Sequence, residues 1–219
     1  MAKPKSHRQL RRSGPKREPY DRVLIVCEGE KTEPNYLREL IEHHRLSTAN
    51  VTITGDSGSA PTSVVEYAIE LFDKDPDYNA VFCVFDRDGH PSFDQAIHRT
   101  RGKSLIRRSG KIGVGSARFE AITSIPCFEY WLLLHYEYTT APLPRFADVE
   151  PRLRAIAAHA SYAKGNRGLF NATSARLSTA MANADRANAA AAAASTDNPT
   201  TQMPVLIRYL VDLADKKTR

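Results

Sequence analysis

Two apolar runs of strand length, "VLIVC" at 23–27 and "AVFCVF" at 80–85, constrain this chain more than any other feature. Each is continuous rather than alternating, so both faces of the strand must be covered, as in a parallel sheet flanked by helices. Each also ends on acid. Glu28 follows the first run, with Glu30 and Glu33 close behind, and Asp86 and Asp88 follow the second. Carboxylates gathered at strand tips repel one another unless a cation offsets them.

Between and after these runs the pattern alternates. A helix is expected from about Pro34 to Leu46, with Thr32 as its cap and Pro34 in its first turn. A short strand at 51–55 and a loop at 57–61 lead to a helix near 62–73, where Val64, Val65, Ala68, Ile69 and Phe72 form one stripe. Such β/α alternation predicts an α/β fold with a Rossmann-like parallel sheet, whose ligands gather at the carboxyl ends of the strands. Further on, a helix is expected at 92–100, a strand at 119–124 and an apolar helix at 125–138, while "RGKSLIRRSGKIGVGSAR" (101–118) fits no periodic pattern. Phe128, Trp131, Leu132 and His135 would share one helix face, and His135 reads there as a packed core histidine. Helices are then expected at about 147–162, 173–194 and 204–216. The chain divides accordingly into a basic arm (1–22), an α/β core (23–140) and a helical C-terminal extension packed on the core (141–219).

Charge is distributed unevenly. Residues 1–22 hold eight Lys and Arg against Glu18 and Asp21, so the net charge of +6 resides there and the remainder is balanced. With Pro4, Gly14, Pro15 and Pro19 interspersed, Arg8, Arg11, Arg12, Lys16 and Arg17 form an arm suited to a nucleic-acid backbone; the bland alternative is a solubilising tail. No apolar run is long enough to span a membrane and no apolar signal core is visible, so a cytoplasmic protein with no membrane partner is expected. Cys27, Cys83 and Cys127 lack CxxC spacing and lie in apolar runs, which predicts buried free thiols.

The acids carry the chemistry. Residues two apart on an ideal strand point the same way, so Asp86 and Asp88 would aim together beyond the sheet, with Arg87 turned towards the opposite face or a substrate phosphate. Hard oxygen ligands of this kind suit Mg²⁺ (or Mn²⁺), and no His/Cys cluster favours zinc. Glu28 would serve as third ligand or as general base, with Gly29 allowing a sharp turn and close approach. Glu33 and Glu30 are further metal candidates, although a carboxylate in a first helical turn is favourable whatever the function. No P-loop, GxSxG or HExxH motif occurs. Acids alone, beside a basic arm, fit metal-assisted phosphoryl transfer.

"VCEGEKTE" followed by "VFDRD" resembles the Toprim pattern, in which a strand-terminal glutamate-glycine pair and a later Asp-x-Asp bind magnesium. More closely, "LIVCEGEKTEPNYL", "CVFDRD", "PCFEYWLLLHY" and "DNPTTQM" recur in this order in RloB-like proteins, and the likeness covers nearly the whole chain. The resemblance implies a Toprim-like core, association with restriction-modification or abortive-infection loci, and often an ATPase partner. Glu28, Asp86 and Asp88 match the Toprim acids, and Glu33 and Glu129 match further acids of the RloB-like pattern. One departure is Ile125, which stands where an Asn would cap the apolar helix; its loss costs about 1 kcal/mol unless Ser124 takes over. Glu129 lies in that helix's first turn, where the dipole explains it as well as catalysis does. His90 is expected in an exposed loop.

The function expected is therefore a Mg²⁺-dependent Toprim-type nuclease, acting on DNA or RNA (tRNA among the targets) as an effector of antiviral defence. Its rivals are a non-catalytic nucleic-acid-binding subunit of a defence complex, and an effector silent until a partner ATPase releases it.

Overall fold

A computed structural model describes residues 21–48, 50–109 and 113–218. The arm cations Arg8, Arg11, Arg12, Lys16 and Arg17 lie outside the described residues. Arg22, counted with them by charge, belongs to the folded body. Its guanidinium pairs with Asp75 at 2.7 Å and Asp77 at 3.4 Å and stacks on Tyr78.

The sheet follows from the apolar runs. Strands β1 (Val23–Cys27), β2 (Val51–Thr54) and β3 (Ala80–Asp86) are parallel, with β1 between the other two. Helices α1 (Thr32–His43) and α2 (Pro61–Lys74) supply the crossovers. The chain steps from β1 to β2 in one direction and returns past β1 to β3 in the other, so right-handed crossovers must place α1 and α2 on opposite faces. The core clusters show this alternation. Val23, Ile25, Cys27, Phe82 and Val84 pack with α1, whereas Leu24, Val26, Val81, Cys83 and Phe85 pack with α2 and α3 (Phe93–Gly102). The three cysteines are buried free thiols, as expected.

The segment without periodicity is a hairpin. β4 (Leu105–Ser109) pairs antiparallel with the first part of β5 (Gly113–Ile125), and the rest of β5 runs parallel to β3. The predicted strand at 119–124 is thus one part of a 13-residue strand. β6 (Thr200–Thr201), within "DNPTTQM", pairs antiparallel with the end of β5. The whole is a mostly parallel, mixed sheet of order β2-β1-β3-β5-β4 flanked by helices, an α/β Rossmann-like arrangement.

The helices differ from expectation where local pattern is silent. α4 spans only Phe128–Leu133, because its side chains are buried on every side and the following turn closes with shorter bonds such as His135 N to Leu132 O. His135 is fully buried, with Nδ1 against the Trp131 carbonyl at 3.0 Å, so the core reading holds. The predicted 147–162 helix divides into α5 (Phe146–Arg154) and a 3₁₀ turn at Ala157–His159. The predicted 173–194 helix is a 3₁₀ turn (Ser174–Arg176) and α7 (Leu177–Ala193), preceded by a short helix the pattern does not announce, α6 (Leu169–Thr173). α8 (Met203–Thr218) closes the chain. Leu143, just before α5, and Val149, Leu153, Phe170, Ala184 and Leu206 from these helices share one core cluster with β1 and β3. Among the described residues no helix is long and apolar enough to cross a membrane.

Candidate functional site

The chain reverses direction in the sheet between β1 and β3, and at such a switch point the loops part and leave a crevice at the carboxyl ends. A cavity of about 670 Å³ opens there. Its lining includes all five acids singled out by the sequence, Glu28, Glu33, Asp86, Asp88 and Glu129, together with Glu30 at the rim.

Backbone geometry explains the convergence. β1 and β3 are in register, with Cys27 opposite Val84, so Glu28 emerges level with Phe85 and its side chain reaches the next residue, Asp86. Glu28 Oε2 accepts a hydrogen bond from the Asp86 amide at 2.9 Å, while Oε1 faces His90 Nε2 at 3.4 Å. Asp86 Oδ2 in turn accepts from the Phe128 amide at 3.0 Å and so caps α4 from a neighbouring strand. That contact supplies the cap missing at Ile125, which is instead buried in the core, and Ser124 pairs with Thr201. Asp88 does not continue the strand. β3 ends at Asp86, Asp88 has φ +24°, and its amide donates to the Pro126 carbonyl, so the turn rather than strand alternation brings it to the cavity. Arg87 points away from the acids, as expected, and its guanidinium is committed to Asp197 at 2.7 Å.

α1 contributes the next wall. Its first residue is Thr32, not Pro34, and no side chain caps it; Thr32 Oγ1 accepts instead from the Gly165 amide at 2.8 Å. Gly29 matters for space: a Cβ there would lie 2.7 Å from Glu33 Oε2. Gly55, after β2, is tighter still, since its Cβ would fall 2.3 Å from the Gly29 carbonyl oxygen.

Crowded carboxyls raise one another's proton affinity. Burial, followed by the charges of Glu33 and Glu129, holds Asp86 well above the usual carboxylate range. Burial, with Glu129 and Glu28 adding repulsion, pushes Glu33 up to about 7. Burial also raises Glu28, against the opposing effects of the Asp86 amide and His90.

Three contributors were not legible locally. Tyr162 Oη donates to the buried Glu129 Oε1 at 2.5 Å. Lys164, two residues on, lines the cavity. His90 joins the site through Glu28 rather than standing clear of it. Tyr162 and Lys164 come from the C-terminal extension, far along the chain from the acids they meet. The DRDGH turn was the only available signal for His90.

The donor set is oxygen throughout, which suits a hard divalent cation. Carboxyls of raised proton affinity, with Lys31, Lys164 and His90 in the same lining, form a surplus of negative charge that such an ion would offset. Among the described residues no group of three or more His, Cys, Asp or Glu side chains is arranged as a ready metal cluster. One oxygen of each of Glu28, Asp86 and Glu129 is held instead by a protein donor.

A family model described as RloB-like protein matches residues 23–210, from β1 into α8. No curated protein and no solved structure gives a match.

Proposed function

Because the chain belongs to the RloB-like family, we propose that the acid-lined cavity is the site of a Mg²⁺-dependent nuclease of the Toprim class, serving as an effector in defence against foreign nucleic acid. The observation that carries this reading is the contact of Glu28 with the Asp86 backbone, which brings acids from two strand tips to one cavity.

Glu28, Asp86 and Asp88 are the residues that would hold Mg²⁺ (or Mn²⁺) there, with Glu33 and Glu129 behind them. When bound, the ion supplies charge neutralisation at the phosphate and a more acidic bound water. The protein's own groups orient and exchange protons. The Asp86 amide fixes the Glu28 carboxylate, whose proton affinity burial raises, so that it is placed to take a proton from an attacking water. The Phe128 amide fixes Asp86, and Tyr162 fixes Glu129. The arm cations Arg8, Arg11, Arg12, Lys16 and Arg17 would hold the polyanion along its backbone. DNA and RNA, tRNA included, are the substrate classes of this reading, and an ATPase is its proposed partner.

The test incubates wild type and an Asp86→Asn/Asp88→Asn variant with labelled DNA and RNA, in Mg²⁺ or EDTA. Scission by wild type in Mg²⁺ alone is expected. Equal cleavage by both proteins, or none by either with and without the partner ATPase, overturns the reading.

A further inference from the structure

An acid-lined cavity repels a phosphodiester, and a divalent ion offsets that repulsion only at the ion itself. A polyanion entering here needs fixed cations at the mouth as well. Lys164 stands there. It lines the cavity together with the strand-tip acids, and its charge is felt by Glu129, Asp88 and Asp86.

Lys164 is held there by its loop. The Gly165 amide donates to Thr32 Oγ1 at 2.8 Å, and Asn35 Nδ2 donates to the Gly165 carbonyl at 3.3 Å. Glu39 accepts from the Gly168 and Phe170 amides at 2.5 and 2.9 Å. Three side chains of α1 therefore fix the segment that follows Lys164, and Tyr162 fixes the segment before it through Glu129. Gly165 has φ +86°, where a side chain is strained, and a Cβ there would crowd the Lys31 side chain at 3.1 Å, so glycine suits this position.

The ammonium itself is not spent on a structural ion pair. It lies 4.5 Å from the centre of the Phe146 ring, and among the described residues no carboxylate lies within salt-bridge distance of it. A cation over an aromatic face keeps its other N–H donors open to a ligand. The side chain is exposed, so it does not hold the core together. Lys31, also exposed, flanks the same mouth.

We propose that Lys164 is a phosphate-binding residue, through which the C-terminal extension seats the nucleic-acid backbone over the acids of the α/β core. This deepens the nuclease reading and rests on it for the identity of the ligand.

The experiment measures binding of a fluorescently labelled single-stranded RNA and DNA oligonucleotide by fluorescence anisotropy. Full-length wild type, Lys164→Ala and Lys164→Arg are compared, with Ca²⁺ in place of Mg²⁺, over a range of salt. Lys164→Ala should weaken binding about tenfold at low salt and reduce the salt slope by about 0.7, the share of one single-strand phosphate. Lys164→Arg should restore most of the affinity, and thermal melting should be unchanged in both. Equal affinity and salt slope for wild type and Lys164→Ala, a folded Lys164→Arg that fails to restore binding, or a wild type that binds neither oligonucleotide overturns the inference. A wild type that binds through Lys164 yet cuts neither strand in Mg²⁺ supports it and removes the nuclease reading instead.

Discussion

Tyr162 donates its phenolic hydrogen to the Glu129 carboxylate at 2.5 Å, inside the protein, and in doing so joins the C-terminal extension to the helix that Asp86 caps. A buried carboxylate that loses its donor retains the cost of desolvation without the compensating bond. Tyr162→Phe should therefore destabilise the protein by about 1–3 kcal/mol in urea unfolding. Placed in a Glu129→Gln background, the same change should cost less, since the charged acceptor is gone; a coupling near zero in this double-mutant cycle would remove the bond from the account.

Asp86 is both a helix cap and a member of a crowded acid set, and two substitutions separate the roles. Asn retains an acceptor for the Phe128 amide and discards the charge, whereas Ala discards both. In EDTA at pH 8, Asp86→Asn should be more stable than wild type, and Asp86→Ala should fall about 1 kcal/mol below Asp86→Asn for the lost cap. The ranking is read from denaturant midpoints.

Two groups, the half-buried Glu33 and the buried His135, shape stability against pH from opposite sides. Burial pushes Glu33 up to about 7. Its folded state holds the proton more tightly than the unfolded chain, so stability is full below about pH 4.5 and is lost as pH rises through 7, by on the order of 3 kcal/mol. Burial, in the opposite sense, lowers His135 to about 4. Its stability is full above about pH 6.5 and is lost as pH falls through 4, by a similar amount of about 3 kcal/mol. Glu33→Gln should flatten the alkaline limb of the unfolding free energy and His135→Leu the acid limb. Unchanged limbs would show that neither group titrates in its present surroundings.

Gly55 holds the turn that carries Glu30. Since a Cβ would meet backbone at 2.3 and 2.8 Å, no side-chain rotation relieves the clash. Gly55→Ala should force the Gly29–Glu30 turn outward, lower the melting temperature and reduce metal-dependent cleavage. Normal melting and normal cleavage would show that the turn adapts freely.

What the sequence made legible was whatever is local. The buried strands 23–27 and 80–85, the stripe of α2 and the acids at the strand tips announce themselves within a few residues. The β4–β5 hairpin was hidden because its residues are glycine- and arginine-rich and its edge strand exposes Ile106, which blurs the alternation. α4 is shorter than its apolar run because burial on every side erases the amphipathic period that would mark an end. Thr32 has the composition of a cap, but its hydroxyl serves the Gly165 amide, a partner 133 residues away. Tyr162 and Lys164 were missed for the same reason, since nothing near them in the chain marks the acids they approach.

Mn²⁺ binding followed by electron paramagnetic resonance tests most directly whether Glu28, Asp86 and Asp88 share a hard divalent cation. Free Mn²⁺ should decline saturably as wild type is added, Mg²⁺ should release it, and Asp86→Asn, which keeps the fold through its remaining acceptor, should take up far less. Uptake by Asp86→Asn equal to that of wild type, or no uptake by either, would contradict the account.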